Sequence, residues 1–132
     1  MAILHEPKVF VVDDNASVRV ALGRLIRSAG LAVETFASAE DLLKTWPSDS
    51  AGCLILDVQL PGLSGLELQT KLAALGSTVP IIFITGHDDP DARTQALNGG
   101  AVDFLEKPFD DEDLFAAIHT ALSNSRTAGA RR

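Results

Sequence analysis

Four short apolar runs, each ending on a reactive side chain, limit what this chain can fold into. Val9-Phe10-Val11-Val12 leads into Asp13 and Asp14, and Leu54-Ile55-Leu56 leads into Asp57. Ile81-Ile82-Phe83-Ile84 leads into Thr85, and Val102-Asp103-Phe104-Leu105 into Glu106, Lys107 and Pro108. Runs this short and this rich in β-branched and aromatic residues read as strands buried on both faces, the pattern of a parallel sheet. In an open parallel sheet the carboxyl ends of the strands share one edge, and ligands bind in the crevice there. Neighbouring strands lie only ~4.8 Å apart, so groups distant in sequence would meet at that edge. They would bring together three carboxylates, a hydroxyl and an ammonium, a set suited to a metal ion and a phosphoryl group.

Helical patterns with their own start and stop signals separate the runs. Asn15 caps a helix whose apolar positions Val18, Ala21, Leu22, Leu25, Ile26 and Ala29 recur at three- and four-residue spacing, and Gly30 stops it. A short strand over Ala32 to Phe36 follows. Ser38 with Asp41 resembles a capping box for a second helix ending at Trp46-Pro47. Ser64 with Glu67 makes another box, and Leu68, Leu72 and Leu75 line one face of the third helix before Gly76. Asp89-Pro90 opens the fourth helix, since proline is tolerated in a first turn, and Gly99-Gly100 closes it. Asp110 opens the fifth, where Asp111, Glu112 and Asp113 favour the positive end of the helix dipole and Leu114, Ile118, Ala121 and Leu122 form the buried stripe. This βα order, repeated five times, predicts a doubly wound α/β fold with a five-stranded parallel sheet, five helices and the flavodoxin-like strand order 2-1-3-4-5.

Size and composition agree with one such domain. The chain has 132 residues, 46% hydrophobic and 22% charged, which suits a single packed core and not an acidic disordered segment. Its net charge of −7 argues against direct nucleic-acid contact, which needs clustered Lys and Arg. The single cysteine, Cys53, cannot form an internal disulfide; it reads as a small buried hydrophobe, with a reactive thiol as the alternative. The opening residues, Met1 to Pro7, are too short and broken for a signal peptide, and no apolar stretch approaches the ~18 residues of a membrane span. A cytoplasmic protein is expected. Residues 1–122 form the domain; residues 123–132 lose the apolar period, turn basic, and read as a linker-like tail or a frayed helix end, suited to joining a further domain.

Taken singly, each edge residue has a plain explanation: Asp, Thr and Lys-Pro are common in loops and caps. Together they change the reading. The motifs V-V-D-D, L-I-L-D-V-Q-L-P-G-L-S-G, I-I-F-I-T-G-H and D-F-L-E-K-P-F stand in the order and spacing of the receiver domains of bacterial two-component response regulators. The chain resembles that family over about Lys8 to Leu122. The run T-G-H-D-D followed by G-A-V-D-F-L-E-K-P-F looks most like the subgroup of the nitrogen-fixation regulator FixJ.

The resemblance implies a set of roles. Asp57 would be the phosphoacceptor. Asp14 and Asp57 would bind Mg²⁺ directly (Mn²⁺ being a substitute), Asp13 through a water, and the Gln59 backbone carbonyl would complete the protein ligands. Thr85 and Lys107 would hold the phosphoryl oxygens. Thr85 and Phe104 would form the switch, the ring moving inward when Thr85 swings towards the phosphoryl group; a strand residue packed on the fourth helix is the simpler reading of Phe104. Gln59 and His87 flank the path of the hydrolytic water and would tune dephosphorylation, with plain loop residues as the alternative. Gly62 and Gly65 would shape the loop after Asp57, and the Lys107-Pro108 bond would be cis. His5 and His119 read as surface residues.

Physical chemistry supports these roles. A carboxylate is ionised at neutral pH, so Asp57 needs no general base to attack phosphorus. Phosphoryl transfer needs mainly positioning and charge neutralisation. A divalent cation with one ammonium balances three carboxylates, and Mg²⁺ prefers one or two carboxylates plus waters and a phosphate. The implied function is a phosphorylation switch that catalyses only its own phosphorylation and dephosphorylation and is not an enzyme in the metabolic sense. Its partners would be a sensor histidine kinase and a second copy, docked through the fourth helix, fifth strand and fifth helix, with transcription control through an output domain. Three alternatives compete. A phosphatase or phosphotransferase of the haloacid-dehalogenase type needs a second Asp two residues after the nucleophile, where this chain has Gln59. A pseudo-receiver is disfavoured because every acidic and phosphoryl-binding position is filled. A flavin or nucleotide module is disfavoured because neither glycine-rich phosphate loop occurs.

Overall fold

The strands form where the apolar runs lie, because each strand offers one face to each of two helical layers. The computed structural model describes residues 8–46, 52–86 and 89–130, of which 124–130 are described as backbone only; His5, Pro47 and His87 lie outside the described residues. The strands are β1 (Lys8–Val12), β2 (Ala32–Phe36), β3 (Gly52–Asp57), β4 (Ile81–Thr85) and β5 (Asp103–Glu106). They alternate with α1 (Ala16–Ser28), α2 (Ala39–Thr45), α3 (Gly65–Ala74), α4 (Pro90–Asn98) and α5 (Asp111–Ala130). All pairings are parallel and the order is β2-β1-β3-β4-β5, the predicted flavodoxin-like topology.

The two-residue period of the strands splits the core in two. Phe10, Val12, Leu54, Leu56 and Phe83 face α2, α3 and α4, meeting Leu42, Leu68, Leu72 and Ala96. Val9, Val11, Cys53, Ile55, Ile82 and Ile84 face α1 and α5, meeting Leu22, Ile26, Leu114 and Ile118. Full burial of each large aliphatic side chain contributes roughly 1.5–3 kcal/mol. Cys53 sits in this second layer, and burial pushes its thiol pKa up to about 12, which leaves it a hydrophobe.

The helix signals act as read. Asn15 accepts the Val18 N–H at 3.1 Å and Ser38 accepts the Asp41 N–H at 3.0 Å. Ser64 and Glu67 form a complete box, with bonds of 3.1 and 2.9 Å. The Asp89 side chain accepts from Ala92, and Pro90 stands in the first turn of α4. The Asp113 and Leu114 N–H groups donate to the Asp110 carbonyl. Among the described residues no helix is long and apolar enough to cross a membrane. The backbone of α5 stays helical past Leu122 to Ala130, so residues 123–130, expected as a linker-like tail or frayed helix end, prolong the fifth helix.

Three details differ from the periodic reading. Leu75 is 68% exposed, because α3 ends at Ala74 and Leu75 serves as its C-cap, past the last turn that faces the sheet. The buried face of α3 is Gly65, Leu68, Gln69 and Leu72, so a glutamine takes a core-facing place. In α1, Ala21 is exposed, as is Ala29 at the C-cap, while Val18, Leu22, Leu25 and Ile26 face the core.

β3 starts at Gly52, two residues before its apolar run, and there the backbone dictates the residue. Gly52 has φ +130°, and a Cβ on it would strike the Lys8 backbone of β1. Gly30 also has positive φ, +83°, but open space around it. Gly52→Ala should therefore lower stability by more than ~2 kcal/mol and Gly30→Ala by about 1 kcal/mol, measured by urea unfolding. Equal losses would show that the close approach of β1 to β3 carries no weight.

Candidate functional site

The carboxyl edge of the sheet gathers the reactive groups because β1, β3, β4 and β5 are parallel neighbours. Asp13 and Asp14 follow β1, Asp57 ends β3, Thr85 ends β4 and Lys107 follows β5. Asp13 is fully buried, Asp57 is 6% exposed and Thr85 1% exposed, whereas Asp14 faces solvent.

The Lys107 ammonium lies between the two buried carboxylates. Its Nζ is 3.2 Å from Asp13 Oδ2 and 3.4 Å from Asp57 Oδ2. Each carboxylate ties its other oxygen to a backbone amide two residues on: Asn15 N–H donates to Asp13 Oδ1 and Gln59 N–H to Asp57 Oδ1, both at 2.9 Å. These local turns fix both side chains before any ligand arrives. The Lys107 N–H donates to the Thr85 carbonyl at 2.7 Å, which ties the lysine to the end of β4. The Lys107-Pro108 peptide bond is cis, as expected.

Electrostatics follow from burial. Burial raises the pKa of Asp57 above the usual carboxylate range; the Gln59 amide and Lys107 oppose this in part, while the Asp13 charge adds to it. For Lys107 burial alone would lower the pKa, but the facing carboxylates of Asp57 and Asp13 prevail and the net shift is upward.

The acidic groups fit a cation. One oxygen from each of Asp13, Asp14 and Asp57 lies within 4.8 Å of the others. All three donors are hard carboxylate oxygens, which suit Mg²⁺ or Mn²⁺ and not a thiolate-seeking metal.

Further residues support the edge. Gly62 turns the loop after Asp57 with φ +75°, and a Cβ on Gly65 would strike the Asp57 carbonyl oxygen, so only glycine lets α3 start this close. Phe104 is 4% exposed, packed at 6.2 Å from Phe83. The ring thus occupies a buried position in the core layer that faces α4. Gln59 is exposed beside Asp57, and His119 is exposed on α5.

Three supporting residues escaped the sequence reading. Arg19 donates from Nη1 to the Asp13 carbonyl at 2.8 Å. Glu40 accepts the Leu63 N–H at 2.9 Å, a bond that lowers the Glu40 pKa and ties α2 to the loop after β3. The Arg93 guanidinium lies 4.9 Å above the Phe104 ring. Arg19 has a sequence signal, a cation one turn past the Asn15 cap. Glu40 and Arg93 have none, because their partners are distant along the chain.

The raised Asp57 pKa has a consequence for stability. A native carboxyl that holds its proton more tightly than the unfolded one makes stability fall as pH rises from the ordinary carboxylate range through the native pKa. Asp57→Asn removes that fall. The metal-free variant should be more stable than wild type near pH ~7, and the gain should shrink on acidification to pH ~4. Urea unfolding at both pH values measures it; a constant difference would contradict the burial cost.

Comparison with known proteins gives the same family and fold. The model of the response regulator receiver domain matches residues 9–119. Nodulation protein W of Bradyrhizobium diazoefficiens is 52% identical over 118 residues, which cover 89% of this chain and 52% of that protein. The transcriptional regulatory protein FixJ of the same organism is 42% identical over 120 residues, covering 91% of this chain and 58% of that protein. Among solved structures, the response regulator StyR superposes with a TM-score of 0.90 at 44% identity, covering 96% of this chain and 65% of that one. The chain spans about half the length of the curated relatives it matches. It belongs to the response regulator receiver domains of two-component systems, and within them it is similar to the FixJ group.

Proposed function

We propose that this domain accepts a phosphoryl group on Asp57 from the phosphohistidine of a sensor kinase and signals by a change of shape. The observation that carries this reading is the pair of buried carboxylates, Asp13 and Asp57, bridged by the Lys107 ammonium at 3.2 and 3.4 Å beside Asp14.

In the proposed reaction an Asp57 carboxylate oxygen forms the bond to phosphorus while the donor's N–P bond breaks. The bonding pair leaves with the imidazole. Asp14 and Asp57, with Asp13 through a water and the Gln59 carbonyl, would hold Mg²⁺, which would supply positive charge beside the phosphoryl oxygens. The Asp57 oxygen bound by the Gln59 N–H is held in place, which leaves Oδ2, on the Lys107 side, to react. Lys107 then exchanges part of its contact with Asp57 for a phosphoryl oxygen, and the Thr85 hydroxyl donates to another. Positioning and charge neutralisation are what this chemistry needs. The acyl phosphate is activated, so its lifetime depends on how a water is aligned; Gln59 and His87 tune that step.

The shape change passes from Thr85 and Phe104 to the face built by α4, β5 and α5, where phosphorylation promotes a homodimer. A phosphoryl group shifts this equilibrium only by its different interaction energy with the two states. The output is control of transcription through a further domain, as the names of longer relatives such as FixJ suggest. The domain acts in the cytoplasm and has no direct contact with nucleic acid or membrane.

Two experiments test the reading. At a hundredfold excess over its Kd, Mg²⁺ should stabilise the wild type by about 2.7 kcal/mol and Asp14→Ala by far less; an equal gain in thermal denaturation would remove Asp14 from the ligands. Acetyl phosphate with Mg²⁺ should label the wild type and Thr85→Ala but not Asp57→Asn, and sedimentation should show the labelled wild type dimerising more than labelled Thr85→Ala. Labelled Asp57→Asn would refute the phosphoacceptor, and equal dimer would take the switch role from Thr85.

A further inference from the structure

Among the described residues four polar side chains are buried, and Asp13, Asp57 and Thr85 all belong to the acidic edge. The fourth is Gln69, on the core face of α3. A buried amide is costly unless it is hydrogen-bonded. Gln69 donates from Nε2 to the carbonyl of Ala96 at 3.0 Å, in the last turns of α4. That carbonyl also takes the Ala101 N–H at 3.1 Å, so the glutamine adds a bond from a second helix to an already closed helix end.

Gly99 completes the contact. Its backbone, φ −80° and ψ 2°, is one that any residue adopts, so conformation does not call for glycine there. Space does: a Cβ on Gly99 would lie 2.7 Å from Gln69 Nε2 and 2.8 Å from Cδ and Oε1. The amide is seated in a notch that only glycine leaves open. Beside it opens a surface cleft of about 150 Å³, lined in part by Leu72, Ser77, Val79 and Gly100.

The opposite end of α4 is held differently. Its first turn is capped by Asp89, buries Ala92 in the core, and touches β5 through Arg93 above Phe104. Arg93 is exposed, and a cation over a ring at an exposed site is a weak tie. The last turn of α4 is thus held by a buried hydrogen bond to α3, whereas the first turn, next to the acidic edge, is held by the apolar packing of Ala92 and an exposed cation over a ring.

We propose that Gln69 and Gly99 form a pivot that pins the carboxyl end of α4 to α3, so that phosphorylation displaces the first turn of α4 and leaves its last turn in place. The pivot rests on the switch reading above; the contact itself does not.

The contact is tested on the unphosphorylated chain by a double-mutant cycle in urea. Gly99→Ala should lower the folding equilibrium constant about fivefold, the value of one lost buried hydrogen bond, because the new methyl displaces the amide. In the Gln69→Ala background the same change should cost nothing, since nothing remains to displace. Equal losses in the two backgrounds would overturn the pin. The pivot is tested by hydrogen exchange with Mg²⁺ and beryllium fluoride, a phosphoryl mimic. In the wild type, amides 92–95 should change rate and amides 99–101 should stay within about twofold. In Gln69→Met, which keeps the volume and loses the donor, amides 99–101 should change about tenfold as well. Wild-type changes at 99–101 as large as those at 92–95 would overturn the pivot. No change anywhere on adding the mimic would overturn the switch reading and the pivot with it, and the double-mutant coupling, which needs no phosphoryl group, would tell that failure from a failure of the contact.

Discussion

Two buried carboxylates facing one lysine set the terms for the rest of this fold. Asp13 and Asp57 are both buried, and burial together with the neighbouring Asp13 charge raises the Asp57 pKa. The Lys107 ammonium between them reduces the repulsion, and with Asp14 nearby the cluster remains negative overall. A divalent cation is the natural complement. That imbalance is one that a hard divalent cation would offset.

Holding three acidic groups within 4.8 Å requires a rigid frame. Parallel pairing of β1 with β3, β3 with β4 and β4 with β5 supplies it, since register fixes where each strand ends. Backbone amides of Asn15 and Gln59 lock the carboxylate rotamers, Arg19 holds the Asp13 carbonyl, and Glu40 braces the loop after β3. Glycines at positions 52 and 65 let backbone approach backbone where a side chain would not fit. These contacts leave the acidic edge little freedom. The last turn of α4 rests on Gln69 through the Ala96 carbonyl.

Much of this was legible along the chain because the signals are local. Strand runs, the Asn15, Ser38, Ser64 and Asp89 caps, and the glycines at helix ends each depend on residues within one turn of each other, so pattern alone places the elements. The parallel sheet followed from strands apolar on both faces, and the edge cluster followed from what stands after each strand. What escaped depends on three-dimensional approach. Leu75 fits the apolar period of α3 yet lies past its last turn, and Gln69 breaks that period yet faces the core. Arg93 meets Phe104, and Glu40 meets Leu63, only because separate elements converge.

Hydrophobic period and capping chemistry act over a few residues, so the chain alone sets the order of elements and the groups that stand after each strand. Only the tertiary structure decided how those groups are charged and braced: the burial that raises the Asp57 pKa, the sharing of Lys107 between two carboxylates, and the notch at Gly99 that receives Gln69. The reason is physical. Desolvation and close contact depend on every element packed around a group, and no local stretch of chain carries that information.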